Sequence, residues 1–120
     1  MTEIDVVYTA ANGTKETDSD EARTLESLFS DDLPPVCSLK AQTGEAFGAS
    51  GVMQASVAAI ALAEDQSVML NTREQTDPQF HHMFKMKIPL VDSPQKVIIK
   101  GHDLAGNYSC LILEKYYRDK

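Results

Sequence analysis

Few residues in this chain could carry chemistry. Its two cysteines are Cys37, within Pro-Val-Cys-Ser-Leu, and Cys110, within Tyr-Ser-Cys-Leu-Ile-Leu. Both sit in apolar stretches, so each is expected to be a buried, reduced thiol that behaves as a small hydrophobe. The histidines are the adjacent pair His81-His82 and His102. Neighbouring side chains diverge on a regular helix or strand, while a metal needs convergent ligands; all three are expected to be solvated loop residues, and no metal or cofactor is expected. Gly44, Gly48 and Gly51 suggest a phosphate-binding loop, but the Gly-Lys-Ser/Thr ending is missing. Small residues at that spacing suit close helix packing better. The cluster Asp18-Ser19-Asp20-Glu21 is explained by helix capping and by the favourable placement of carboxylates in a first turn. Lys40 and Glu45 remain, five residues apart with opposite charge, an arrangement that suits an ion pair.

Composition narrows the classes. The 120 residues are expected to form one domain, residues 1–120. A chain of that size buries roughly two thirds of its unfolded surface, enough for a core without disulfides or metal. The net charge of −7 argues against nucleic acid, whose binding rests on neutralising phosphates. No apolar run reaches the ~18–20 residues of a membrane span, so no membrane partner is expected. Met1-Thr2-Glu3 lacks a basic region followed by an apolar run, and the expected location is cytoplasmic.

The elements follow from pattern. Ile4–Ala10 is β-branched and apolar, a buried strand. Asn12-Gly13-Thr14 signals a turn. A helix is expected over Asp18–Ser30, with Ala22, Leu25, Leu28 and Phe29 as its apolar face and Pro34-Pro35 beyond its end. Val36–Leu39 reads as a short strand. Residues 45–64 read as a helix that is apolar nearly all round, which marks it as buried. Ser67–Leu70 is a short extended piece, and 71–94, with prolines at 78, 89 and 94, is irregular. Gln95–Lys100 and Tyr108–Glu114 form an antiparallel hairpin around the turn 101–107. The order is β-α-β-α-β-β, an α/β arrangement.

Lys40-Ala41-Gln42-Thr43-Gly44-Glu45-Ala46-Phe47-Gly48-Ala49-Ser50-Gly51 resembles the K-x-x-x-G-H-x-x-G-A-x-G segment of β-ketoacyl synthases, the condensing enzymes of fatty-acid and polyketide synthesis. Co-linear matches accompany it. Asp5–Thr14 looks like the family's D-x-I-x-x-x-A-H-G-T. Asp18, Glu21 and Leu25 look like D-x-x-E-x-x-x-L, and Asp77-Pro78 falls at a Pro-Asp-Pro turn. Leu104–Leu113 looks like F-G-G-T-N-A-S-L-I-L, with Leu104 for phenylalanine and Ala105 for glycine. The resemblance covers nearly the whole chain and implies the second half of a thiolase-like fold, a mixed sheet with helices on its faces. It also implies that the helix after Lys40 is one of two that the full fold sandwiches between its halves. The family's half begins with a central strand upstream of the Ile4–Ala10 match. The sheet is therefore expected to be smaller and rearranged, or to be completed by another chain.

In the family two histidines stabilise the charge that develops on a thioester carbonyl, and a thiolate carries the acyl chain. The positions of those histidines are Asn12 and Glu45. Lys40 matches the family's lysine, which supports the histidine and the site electrostatics. The nucleophile belongs to the half of the fold that has no counterpart here. An ionised Glu45 cannot donate a hydrogen bond and repels an oxyanion. Asn12, Lys40 and Glu45 are thus candidates for a vestigial site, expected to converge, and independent condensation is not expected. The first functional expectation is a non-catalytic, condensing-enzyme-like protein. It would pair with itself or with a β-ketoacyl synthase in fatty-acid or polyketide-type biosynthesis, through an interface that includes Phe47, Val52, Ala55 and Ala59. An acyl carrier protein is a further partner the resemblance brings in, although this chain's acidity gives no long-range attraction to an acidic carrier. The alternative is an altered acyl-thioester enzyme, hydrolytic or decarboxylating, with its site completed by a partner chain.

Overall fold

A computed structural model describes residues 3–10, 14–69, 90–103 and 105–118. In chain order these form β1 (Val6–Tyr8), α1 (Lys15–Phe29), β2 (Val36–Cys37), α2 (Lys40–Thr43), a 3-10 turn (Phe47–Ala49) and α3 (Ser50–Ala63). They continue as β3 (Val68–Met69), β4 (Leu90–Val91), β5 (Lys96–His102) and β6 (Tyr108–Glu114). The expected β-α-β-α-β-β order is present, with α2 and the β3–β4 pair added to it.

The main sheet runs β2-β1-β5-β6. β1 is parallel to β2 on one side and to β5 on the other, and β5 and β6 form the expected antiparallel hairpin. Of the two expected sheets, it is the smaller: Val6, Val7 and Tyr8 lie directly beside Val97, Ile98 and Ile99. Asp5 secures that junction. Its carboxylate accepts the backbone N–H groups of Gln95 (2.7 Å) and Lys96 (3.0 Å) where β5 begins. β3 and β4 form a separate two-stranded antiparallel sheet.

Strand alternation sends Val6, Tyr8, Cys37, Val97 and Ile99 to one face. There they form the core with Ala58, Ala61 and Leu62 of α3 and with Val68. On α3 the buried positions Ser50, Gln54, Ala58, Ala61 and Leu62 recur at three- and four-residue intervals, one helical stripe. Val52, Met53, Val57 and Ile60 remain exposed on the other side. The sheet therefore covers one side of α3 only.

α1 supplies Ala22 and Leu25 as buried apolar contacts. Two expectations about it need correction. The helix begins at Lys15, with Thr14 in extended backbone at the N-cap position, rather than at Asp18. Leu28 is exposed rather than part of the buried face, because α1 ends beside the uncovered hairpin rather than beneath another layer. The long helix expected over 45–64 is instead a 3-10 turn followed by α3. His102 is not a loop residue: it ends β5, half-buried, with its ring tilted against Tyr108 at 5.5 Å between centroids. His81, His82 and the Asp77-Pro78 turn lie outside the described residues.

Leu25 is 1% exposed and Leu28 is 64% exposed on the same helix. Leu25→Ala is expected to cost about 2–5 kcal/mol, the range for a fully buried leucine. Leu28→Ala should stay within about 0.5 kcal/mol of the parent. Urea unfolding of the two variants checks the contrast.

Candidate functional site

Three elements meet at one end of the sheet. β1 and β2 run parallel, so their carboxyl ends lie side by side: the Thr9 N–H donates to the Cys37 carbonyl at 2.9 Å, and the Thr9 hydroxyl donates to the same oxygen at 3.3 Å. α3 joins them through Gln54. This residue is 2% exposed, and its amide donates to the Thr9 carbonyl at 2.7 Å. A backbone carbonyl just past a strand end would otherwise be buried without a partner, at a cost of about 1–3 kcal/mol. Gln54 satisfies it and sets the start of α3 over the sheet.

The chain leaves β2 through Ser38 and Leu39 into α2, a single helical turn that carries Lys40 at its start. Gly44 ends α2 with φ +76° and ψ −178°, a conformation essentially confined to glycine that costs another residue roughly 1–3 kcal/mol. This reversal returns Glu45 to Lys40. The Lys40 Nζ donates to Glu45 Oε2 at 2.8 Å. Oε1 of the same carboxylate accepts the Phe47 backbone N–H at 2.7 Å and the Ser50 hydroxyl at 2.9 Å. Glu45 thus ties Lys40 to the opening of α3. The Lys40 ammonium first, and then the Ser50 and Phe47 donors, hold its carboxyl below the usual carboxylate range.

Lys40 and Glu45 are therefore brought together as expected. Asn12, the third member of the predicted constellation, lies outside the described residues. Of the predicted interface residues, Phe47 is 83% exposed, with its backbone in the left-handed region at φ 49°. Val52 and Ala59 are exposed as well. Ala55 is half-buried and packs toward the core, because it neighbours Gln54 and Ala58 on the sheet-facing side of α3.

The thiols divide. Cys37 is buried, and burial pushes its pKa up to about 11, which leaves little thiolate at neutral pH. Beside it in the sheet register, Tyr8 is raised to about 12 by burial, with Cys37 contributing further. Cys110 corrects the expectation of two buried thiols: it is exposed, because it sits opposite Lys100 on the face of the sheet away from α3. Neither cysteine is among the hydrogen-bonding partners of Glu45.

Two features escaped sequence reading. Gln54 is the polar break in an otherwise apolar stripe, four residues after Ser50, and that spacing was its available signal. By sequence Glu21 reads as a first-turn acid. It is buried instead, accepts the Ala10 N–H at 2.8 Å and lies 3.8 Å from the Lys100 ammonium, itself buried. The pair joins α1 to β5, and nothing local to either residue announces it. Among the described residues no group of three or more histidine, cysteine, aspartate or glutamate side chains could hold a metal.

Because the folded-state pKa of Glu45 is depressed, the pair's contribution to stability is complete above the unfolded carboxyl range. It is lost as pH falls through the folded value. Lys40→Met should raise the Glu45 titration midpoint toward its ordinary range, as followed by carboxyl NMR. The stability gap between parent and variant should be present at neutral pH and close in acid. In a thiol-reagent assay on the native protein, Cys110 should react promptly and Cys37 only on unfolding; rapid reaction of both would contradict the burial of Cys37.

Comparison with known proteins bears on the fold and the family. No curated protein matches the chain. Among solved structures 17 chains match. One is the ishigamide ketosynthase/chain length factor, which aligns with 96% of this chain at a TM-score of 0.82 and 23% identity. At that identity the likeness is one of fold, and this chain spans 28% of that one. The β-ketoacyl synthase C-terminal domain family model matches residues 1–73, the segment that contains both Lys40 and Glu45. The chain belongs to the β-ketoacyl synthase C-terminal domain family.

Proposed function

We propose that this protein is a non-catalytic member of its family that acts by pairing, with a second copy or with a β-ketoacyl synthase, in fatty-acid or polyketide-type biosynthesis. The observation that carries this reading is the state of Glu45. At the position of a catalytic histidine stands a carboxylate whose oxygens are engaged by Lys40, Phe47 and Ser50. A carboxylate in this state has no proton to donate to a thioester oxygen, and its charge opposes the one that would develop there. The residue serves the backbone around it.

Pairing is supported by the outer side of α3. Val52, Met53, Val57 and Ile60 are exposed along one helix, with Phe47 exposed just before it. A contiguous apolar surface of this kind marks an interaction site. Glycine and alanine at Gly51, Ala59 and Ala63 lie exposed beside these side chains and permit close approach. The likeness to a ketosynthase/chain length factor fits a role beside a synthase.

Ala59 is exposed on α3, so Ala59→Glu should leave the fold intact while shifting the assembly toward a smaller species, by light scattering at micromolar concentration. A parent protein that scatters as a monomer, both alone and mixed with a ketosynthase, would remove the pairing reading. Incubated with malonyl and acyl thioesters, the purified chain should release no thiol or carbon dioxide above background. The same result is expected after Asn12→His with Glu45→His, since those changes add no nucleophile. Turnover by the parent chain would instead favour the altered acyl-thioester enzyme.

A further inference from the structure

Among the described residues the sheet ends at β6, and every residue of that strand except Leu113 is exposed. Its backbone orientation follows from the hydrogen bonds at either end of the hairpin. The Lys115 N–H donates to the Gln95 carbonyl at 2.7 Å, and the Asp103 N–H donates to the Asn107 carbonyl at 3.1 Å. Both pairs continue the register that sets Lys96 opposite Glu114 and His102 opposite Tyr108. Bonded and non-bonded pairs alternate along an antiparallel ladder. The odd-numbered residues 107–115 therefore turn their N–H and C=O groups into the sheet. Tyr108, Cys110, Ile112 and Glu114 turn theirs outward.

Exposed edges of this kind are usually blunted by a lysine, a proline, a bulge or a covering element. β6 has none of the first three. Tyr108–Leu113 contains no charge, proline or glycine, and its register with β5 runs without a break. Leu111 and Ile112 are 46% and 57% exposed.

We propose that β6 is an association surface separate from α3, occupied by β6 of a second copy running antiparallel across a two-fold axis at Leu111. Tyr108 then lies opposite Glu114, Cys110 opposite Ile112, and Leu111 opposite itself. Three features favour a second copy. This register places outward-facing residues opposite outward-facing residues, so each free N–H meets a carbonyl. The strand's one charged residue, Glu114, meets Tyr108 rather than another carboxylate, which matters in a chain of net charge −7. Apolar residues also meet on both faces, Cys110 against Ile112 on one and Leu111 against Leu111 on the other. Self-complementarity of this kind is what a two-fold contact requires.

The test is cross-linking in a Cys110→Ser background under mild oxidation. Leu111→Cys should give a disulfide-linked dimer, because facing residues of a non-bonded pair have Cα atoms about 4.5 Å apart, within disulfide reach. Ile112→Cys faces position 110 of the second copy, which carries no thiol in that background, and should cross-link at least tenfold less. A second measurement is sedimentation equilibrium of Ile112→Pro, which removes one outward N–H and leaves the β5 ladder its donors. Ile112→Lys keeps the backbone donor and adds an edge charge. Each should weaken association at least tenfold, both in the parent and in an Ala59→Glu background, so that the β6 and α3 contacts are read separately. Equal cross-linking at 111 and 112, or unchanged association of both Ile112 variants, would overturn the proposal.

Discussion

A helix that is apolar on every side cannot be satisfied by one sheet, and much of this molecule is arranged around that constraint. α3 places Ala58, Ala61 and Leu62 against Val6, Tyr8, Val97 and Ile99. Its first turns are held over the ends of β1 and β2 by the Gln54 amide on the Thr9 carbonyl. That hydrogen bond chooses which stripe of the helix faces inward. The opposite stripe, Val52, Met53, Val57 and Ile60, is left facing water by the same choice. Core and candidate interface are thus two sides of one rotational setting, and neither can change without the other.

The Lys40–Glu45 region is governed by the same geometry. The loop turns at Gly44, whose φ is +76°, and the Glu45 side chain that follows is directed back onto Lys40, Ser50 and the Phe47 N–H. A carboxylate that accepts a backbone N–H, a hydroxyl and an ammonium ties the loop to the opening of α3.

Much of the fold was legible because its strands are β-branched and its helices periodic: Val6–Tyr8 and Tyr108–Glu114 fall within the expected strands, while Lys96–His102 runs two residues into the expected turn. Helix starts were less legible. Lys15 and Glu16 carry no apolar signal, so the first turn of α1 was invisible, and α2 is too short for periodicity to register. Exposure was the least legible property. Cys110 and Cys37 occupy similar apolar stretches, yet one lies on the sheet face away from α3 and the other beneath α3. Which face a strand residue turns to and what covers it are decided by packing between distant segments, which composition does not encode. The same reason hid the Glu21–Lys100 pair. Lys40 and Glu45 were legible because they are close in sequence, and their partners Phe47 and Ser50 are local too.

The direct pairing of β1 with β5 has a consequence for how the protein is made. Val6 and Val97 are about ninety positions apart, yet they are lateral neighbours in the sheet. During synthesis β1 emerges long before its partner on that side, and it must remain unaggregated with one flank unpaired. Contacts of such sequence separation carry a high loop-closure cost and slow the final step of folding. The β5–β6 hairpin, closed by the Asp103–Asn107 turn, forms locally and late. It is the piece whose arrival completes the sheet, so a ribosome pause or a truncation before it leaves β1 and β2 as a parallel pair with an open flank.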